Sequence, residues 1–218
     1  MSIFQFYYVN FANLILKNIN FTQINLIYKY ITNFLNQNTG IDMKLQKGDK
    51  ITEINLPSID GKNFSFNKIK GKKTLLTFYR FATCPFCNLR IHEIINRYEE
   101  LGKNFEMVAI FSSTQEHLSK TMKKHNAPFT ILADENFEYF SKYEVEKSLF
   151  KFLVGSMVGF FKILKAGSKG YFPMELSGMT IVPVDVLINK KGVIEKVYYG
   201  QNTTDHLSFD EIKYFSLS

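Results

Sequence analysis

Cys84 and Cys87 are the only cysteines in a chain of 218 residues, and they stand three positions apart in Cys-Pro-Phe-Cys. A thiolate attacks sulfur or oxygen electrophiles, whereas a thiol hardly reacts. At an ordinary pKa of about 8.5, only ~3% of a cysteine is ionised at pH 7. At this spacing two sulfurs can meet on one side of a helix, which suits a disulfide that opens and closes. The flanking residues supply that helix. Thr74–Tyr79 (TLLTFY) is β-branched and aromatic with no breaker, the pattern of a strand. Leu89, Ile91, Ile94, Ile95, Tyr98 and Leu101 recur at helical steps, with charged residues between them. Pro85 suits a first turn, where a missing N–H costs least. Cys84 therefore falls at the helix cap and Cys87 about one turn in.

A helix N-terminus favours an anion by about 0.3–2 kcal/mol, or roughly 0.2–1.5 pKa units. Arg80, four residues before Cys84, could add to that; a solvated strand end is its alternative role. Lowering the pKa to about 7 raises the thiolate fraction about fifteenfold, but reduced basicity removes about fivefold of the nucleophilicity. The net gain of about threefold does not determine what Cys84 attacks. Reduction of a peroxide also needs donors for the charge developing on the leaving oxygen. The local candidates are the N–H groups of Phe86 and Cys87, the Thr83 hydroxyl and Arg80. Any such chemistry requires sulfurs within bonding reach and not sealed among apolar groups.

The net charge is +7, but the lysines are scattered and no arginine block occurs, so no nucleic-acid partner is expected. One close cysteine pair cannot form the framework of a secreted chain and fits a reducing compartment, so a cytoplasmic location is expected. Zinc usually needs four ligands. His92, His117, His125 and His206 form no closely spaced pair, so neither a metal nor another cofactor is expected.

Residues 1–42 are rich in Asn, Ile, Phe and Tyr and nearly free of acid. They lack the charged start of a signal peptide, and Asn and Gln interrupt every apolar run short of a membrane span. Ile24, Ile27, Ile31, Phe34 and Leu35 share one helical face, so this extension is expected to be helical or poorly ordered. From residue 43 onward a single α/β domain is expected. A hairpin turns at Asp60-Gly61, a buried parallel strand covers Phe105–Phe111 and a polar helix covers Thr114–His125. A short strand covers Pro128–Leu132, a turn and helix Asp134–Tyr143, two strands flank Lys191-Gly192, and a helix covers Phe209–Phe215.

Lys147–Lys165 (KSLFKFLVGSMVGFFKILK) fits no minimal α/β domain. Read as one helix, it puts Lys147, Lys151, Lys162 and Lys165 within about 60° of one another. The rest of the surface is Leu, Phe, Val, Met and Ile. So wide an apolar arc must be buried in the core, against a second copy in a homodimer, or in a membrane surface.

Pro183 interrupts a strand-like run, MTIVPVDVLI. It fits there if the Val182–Pro183 peptide is cis and the strand edge holds something. In thioredoxin-type folds a cis proline faces the reactive cysteines.

Three blocks, in this order, resemble the peroxiredoxin-like members of the AhpC/TSA family. They are FYRFATCPFCNLRIHEI, TILADENFEYFSKYEVEKS and VPVDVLINKKGVIEKVYYGQNTTDHLSFDEI. The resemblance covers about residues 44–215. It implies a thioredoxin-like α/β fold with a central mixed sheet flanked by helices, here with an amphipathic helical insertion and an N-terminal extension. It implies that Cys84 attacks a hydroperoxide and becomes a sulfenic acid, that Cys87 condenses with it, and that a thioredoxin- or glutathione-type donor reduces the disulfide. Phe86, Val182 and Pro183 would then touch substrate, and His206 would be structural. The family's P-x-x-x-T-x-x-C pattern is altered, because Thr77 and Phe81 hold the first two positions and Thr83 adjoins Cys84. The arginine that typical members bring from a later strand has no counterpart near Pro183. A protein disulfide oxidoreductase and a non-catalytic, redox-switched binding module therefore stand as alternatives.

Overall fold

The computed structural model describes residues 44–171 and 178–218. The helical face at Ile24–Leu35 lies outside them. Five strands, β1 (Lys73–Tyr79), β2 (Phe105–Phe111), β3 (Thr130–Ala133), β4 (Val184–Ile188) and β5 (Ile194–Tyr199), form one sheet in the order β3-β2-β1-β4-β5. β1, β2 and β3 run parallel, while β4 and β5 pair antiparallel. Parallel neighbours need crossovers. α1 (Pro85–Asn96) and α2 (Gln115–Met122) supply them, and α3 (Glu138–Lys142) follows β3.

Side chains alternate across each strand, and here both faces are covered. Leu75, Tyr79, Met107 and Phe111 pack with Ile91, Ile94 and Leu118 of α1 and α2. Leu76, Phe78, Val108 and Ile110 face the other way, against Ile54, Phe64, Tyr139 and Tyr143. A central strand buried on both sides is mainly apolar, which is why β1 and β2 read as largely apolar runs, with Thr74 and Thr77 the buried polar residues of β1. The C-terminal helix α6 (Phe209–Leu217) closes the first face with Phe209, Ile212 and Phe215.

Three expectations change. The segment around Asp60-Gly61 forms a single bridge, Pro57 to Asn63, in place of two strands. Its backbone pairs instead with the β3 edge, through Ile59 N–H to Ile131 O (3.1 Å) and Ala133 N–H to Pro57 O (2.9 Å), which covers that edge. The Lys147–Lys165 segment breaks into α4 (Leu149–Val158) and α5 (Phe160–Ser168). The break is at Gly159, where an added Cβ would lie 2.6 Å from the Phe86 ring. Its four lysines therefore form no single stripe. Lys147 lies over the Phe137 ring at 3.9 Å and Lys151 pairs with Glu146 at 2.6 Å. Much of the apolar arc points outward, so burial in the domain's own core does not account for it.

The third change is at Pro183. Every peptide bond among the described residues is trans, Val182–Pro183 included. β4 is not an edge either, because it lies between β1 and β5. Pro183 precedes the first residue of β4, where its missing N–H leaves no ladder bond unmade. Its carbonyl accepts from Gly200 N–H at 2.9 Å.

The buried Asp134 carboxylate accepts the N–H groups of Glu138 (2.9 Å), Tyr139 (2.8 Å) and Phe140 (3.0 Å), satisfying the start of α3. Asp134→Ala would leave three donors unmatched. Unfolding free energy measured in urea should fall by about 2 kcal/mol, with thiol reactivity at Cys84 unchanged.

Candidate active site

β1 ends at Tyr79, and the chain turns through Arg80–Thr83 into α1. Cys84 is the N-cap residue and Pro85 opens the helix. The Cys84 sulfur accepts the Cys87 N–H at 3.3 Å, taking one of the donors that a helix start leaves free. Asn88 holds the turn from below. Its Nδ2 donates to Ala82 O (2.8 Å) and Cys84 O (2.9 Å), while its Oδ1 faces His125 Nε2 at 2.9 Å. Burial, with the Lys124 and His92 charges, drives His125 down to about pKa 4. At neutral pH the ring is uncharged, and facing an amide oxygen it carries its proton on Nε2. Ser113 Oγ accepts the Ala82 N–H at 2.9 Å from the end of β2.

Arg80 is buried, not a solvated strand end, with 2% of its surface exposed. Nη1 donates to Met179 O at 3.0 Å, and the guanidinium lies 5.3 Å over the Phe86 ring. Nε and Nη2 have no hydrogen-bond partner among the described residues. Burial works against the Arg80 charge, but the neighbouring Cys84 and Cys87 sulfurs outweigh it and hold its pKa above the ordinary value. Burial likewise pushes the Cys84 thiol up. The Cys87 thiol, the Arg80 charge and the N–H groups of Cys87 and Phe86 overcome it and bring Cys84 down to about 6. Cys87 goes the other way, raised by burial and then by its bond to Cys84 and the charge there. Both cysteines are free thiols.

Cys84, Cys87, Arg80 and Phe86 are thus brought together, with Thr83 buried in the same turn. Val182 and Pro183 are buried, and their backbone bonds run to Glu146 O and Gly200 N–H, not to the cysteine turn. The expectation that the pair is not sealed among apolar groups is not met: Cys84 and Cys87 have 0% and 1% exposure and belong to the buried cluster that holds Tyr79, Phe81, Ile91 and Phe111. What distinguishes their surroundings is the Arg80 guanidinium and the helix N–H groups.

Sequence reasoning missed Asn88, Ser113, His125 and the Met179 carbonyl. Asn88 looks like any polar residue in the first turn of a helix. Asp185 left a better signal, as a lone acid in an apolar strand. Its carboxylate accepts the Thr77 hydroxyl and the Leu207 N–H (2.8 Å) and faces His206 Nδ1 at 3.1 Å. Burial raises its pKa, but His206, Arg90 and Thr77 more than offset this and leave it low. The buried carboxylate anchors the tail to β4, and Thr77 spends its hydroxyl there, away from Cys84.

Residues 47–197 match the sequence profile of the AhpC/TSA family. The chain is 31% identical over 159 residues to the chloroplastic peroxiredoxin Q of Populus jackii, covering 72% of this chain and 62% of that protein. The matched region is less than two thirds of the length of these chloroplastic relatives. Against peroxiredoxin Bcp of Escherichia coli K12 it is 24% identical over 163 residues, 74% of this chain and 90% of that one. The fold is like that of the peroxidoxin BcpB of Mycobacterium tuberculosis, with TM-score 0.58 at 14% identity over 79% of this chain and 97% of that one. It is also like a thiol:disulfide interchange protein DsbE from Chlorobium tepidum, with TM-score 0.52 at 17% identity over 80% and 100%.

Thiolate absorbance in the ultraviolet should titrate with a midpoint near pH 6 and vanish in Cys84→Ser. Arg80→Gln should move the midpoint up by about one unit or more. Folding lowers the proton affinity of Cys84. Its contribution to the stability of the reduced protein is therefore fully present above about pH 8.5 and is lost as pH falls through 6. Thermal melts of Cys84→Ser should lack that dependence.

Proposed function

The chain belongs to the AhpC/TSA family, and from that membership and the geometry around Cys84 we propose that it is a thiol peroxidase working through the Cys84–Cys87 pair. The observation that carries this reading is the Cys84 sulfur at the start of α1 beside the buried Arg80, with its pKa brought to about 6. In the first step the Cys84 thiolate attacks one peroxide oxygen and the O–O bond breaks. The sulfur becomes a sulfenic acid, and the leaving alkoxide or hydroxide takes up a proton. In the second step the Cys87 sulfur displaces that oxygen as water and forms the disulfide. Two thiols of a thioredoxin- or glutathione-type donor then restore the pair.

Ionisation alone does not make this fast. At a pKa of about 6 the thiolate is ~90% populated at pH 7, but nucleophilicity drops about thirteenfold, leaving roughly a twofold gain. The remaining acceleration falls to donors for the leaving oxygen. Arg80 supports that role, since its charge is buried beside the Cys84 and Cys87 sulfurs and the geometry gives Nε and Nη2 no other bond among the described residues. The same cation helps the second step. Oxidation removes the Cys84 charge that holds the Cys87 proton, and Arg80 then favours the Cys87 thiolate. A sulfur without accessible surface reacts only through a local opening, so a small peroxide should outrun a bulky thiol reagent.

Disulfide exchange is the second reading. It is favoured because neither Thr77, turned to Asp185, nor the buried Phe81 offers a hydroxyl to Cys84. Stopped-flow oxidation by hydrogen peroxide separates the two. A rate near that of free cysteine, together with insulin reduction, would replace peroxidase by exchange. On the peroxidase reading, Cys84→Ser abolishes turnover and Cys87→Ser leaves a trappable sulfenic acid. Arg80→Gln slows the first step by about 10²–10³.

A further inference from the structure

α4 and α5 leave an apolar surface outside the fold. Leu149, Phe150, Leu153 and Met157 fall within an arc of about 100° on α4, and Met157 is 81% exposed. Gly155, roughly opposite, is where α4 meets the body of the protein. A Cβ there would lie 2.3 Å from Thr203 Oγ1. On α5, Phe161 and Leu164 are exposed at 80% and 57%. Lys162, Lys165 and Lys169 follow on the adjoining side of α5, all exposed, at a groove that α5 shares with Glu93 of α1 and with Asp205 and Asp210. Lys162 and Lys165 make no ion pair among the described residues, and the sequence contains no Asp or Glu between Glu146 and Glu175.

From this juxtaposition we infer that the α4–α5 segment docks in the plane of an anionic phospholipid surface. The apolar arc enters the acyl boundary and the lysines meet the headgroups. Neither helix is long enough to cross, and among the described residues none qualifies as a membrane span. A symmetric second copy fits the face less well, because the segment carries no acid of its own with which the copy could meet Lys162 and Lys165. Gly155 and Gly159 let the segment approach Thr203 and Phe86 closely, on the sides where a Cβ would not fit.

Flotation of the full chain with vesicles tests this without reference to turnover. The protein should float with phosphatidylcholine vesicles containing phosphatidylglycerol, float weakly with phosphatidylcholine alone, and be released by salt. Leu153→Glu with Met157→Glu should lower partitioning at least about tenfold, with an unchanged melting curve. Lys162→Gln with Lys165→Gln should weaken only the anionic component. Absence of flotation would overturn the inference. So would wild-type flotation of the Leu153→Glu/Met157→Glu protein, which would place the lipid contact elsewhere, residues 1–43 included. A dimer in sedimentation that this double variant dissociates, with no vesicle binding, would assign the face to a second copy.

Discussion

A guanidinium shut away from water must be answered by negative charge, because it cannot give up its proton as a lysine can. Arg80 is in that position, and among the described residues the sulfur pair answers it. The interaction works in both directions. The cation makes one thiol acidic, and the resulting thiolate makes the cation tolerable in the core. Met179 O and the Phe86 ring account for part of the guanidinium's environment.

The sheet makes this arrangement rigid. β1 is bonded on both sides, to β2 and β4, so the point where it releases the chain at Arg80 is fixed. α1 begins five residues later, and Asn88 ties its first turn back to Ala82 and Cys84. On the other side of β1, Asp185 uses Thr77, His206 and Leu207 to bind the tail to the sheet. A threonine that might have served the sulfur serves the scaffold.

Much of this was legible from residue order alone. The apolar runs of β1 and β2 declare their burial, and Pro85 after Cys84 marks a helix start as clearly as a single chain can. Gly159 was visible as a residue but not as a break, because only the approach of Phe86 from a distant segment forces the chain to turn there. Pro183 was misread for a related reason. The same proline fits a cis bond or the threshold of a strand, and β5 pairing beyond it decides which. Asn88 and the Met179 carbonyl carry no local pattern, since their roles come from partners 6 and 99 residues away. The closure of the sulfurs was likewise hidden, as it depends on how Tyr79, Phe81 and Phe111 pack around them.

Forming the Cys84–Cys87 bond would erase the anion and leave Arg80 with no counter-charge in a dry cavity. The dithiol is therefore the energetically favoured partner of the couple. With the Cys84 thiol lowered to about 6, that preference is present at neutral pH. The cation that acidifies one thiol would thus also make a disulfide here readier to accept electrons than one between ordinary thiols.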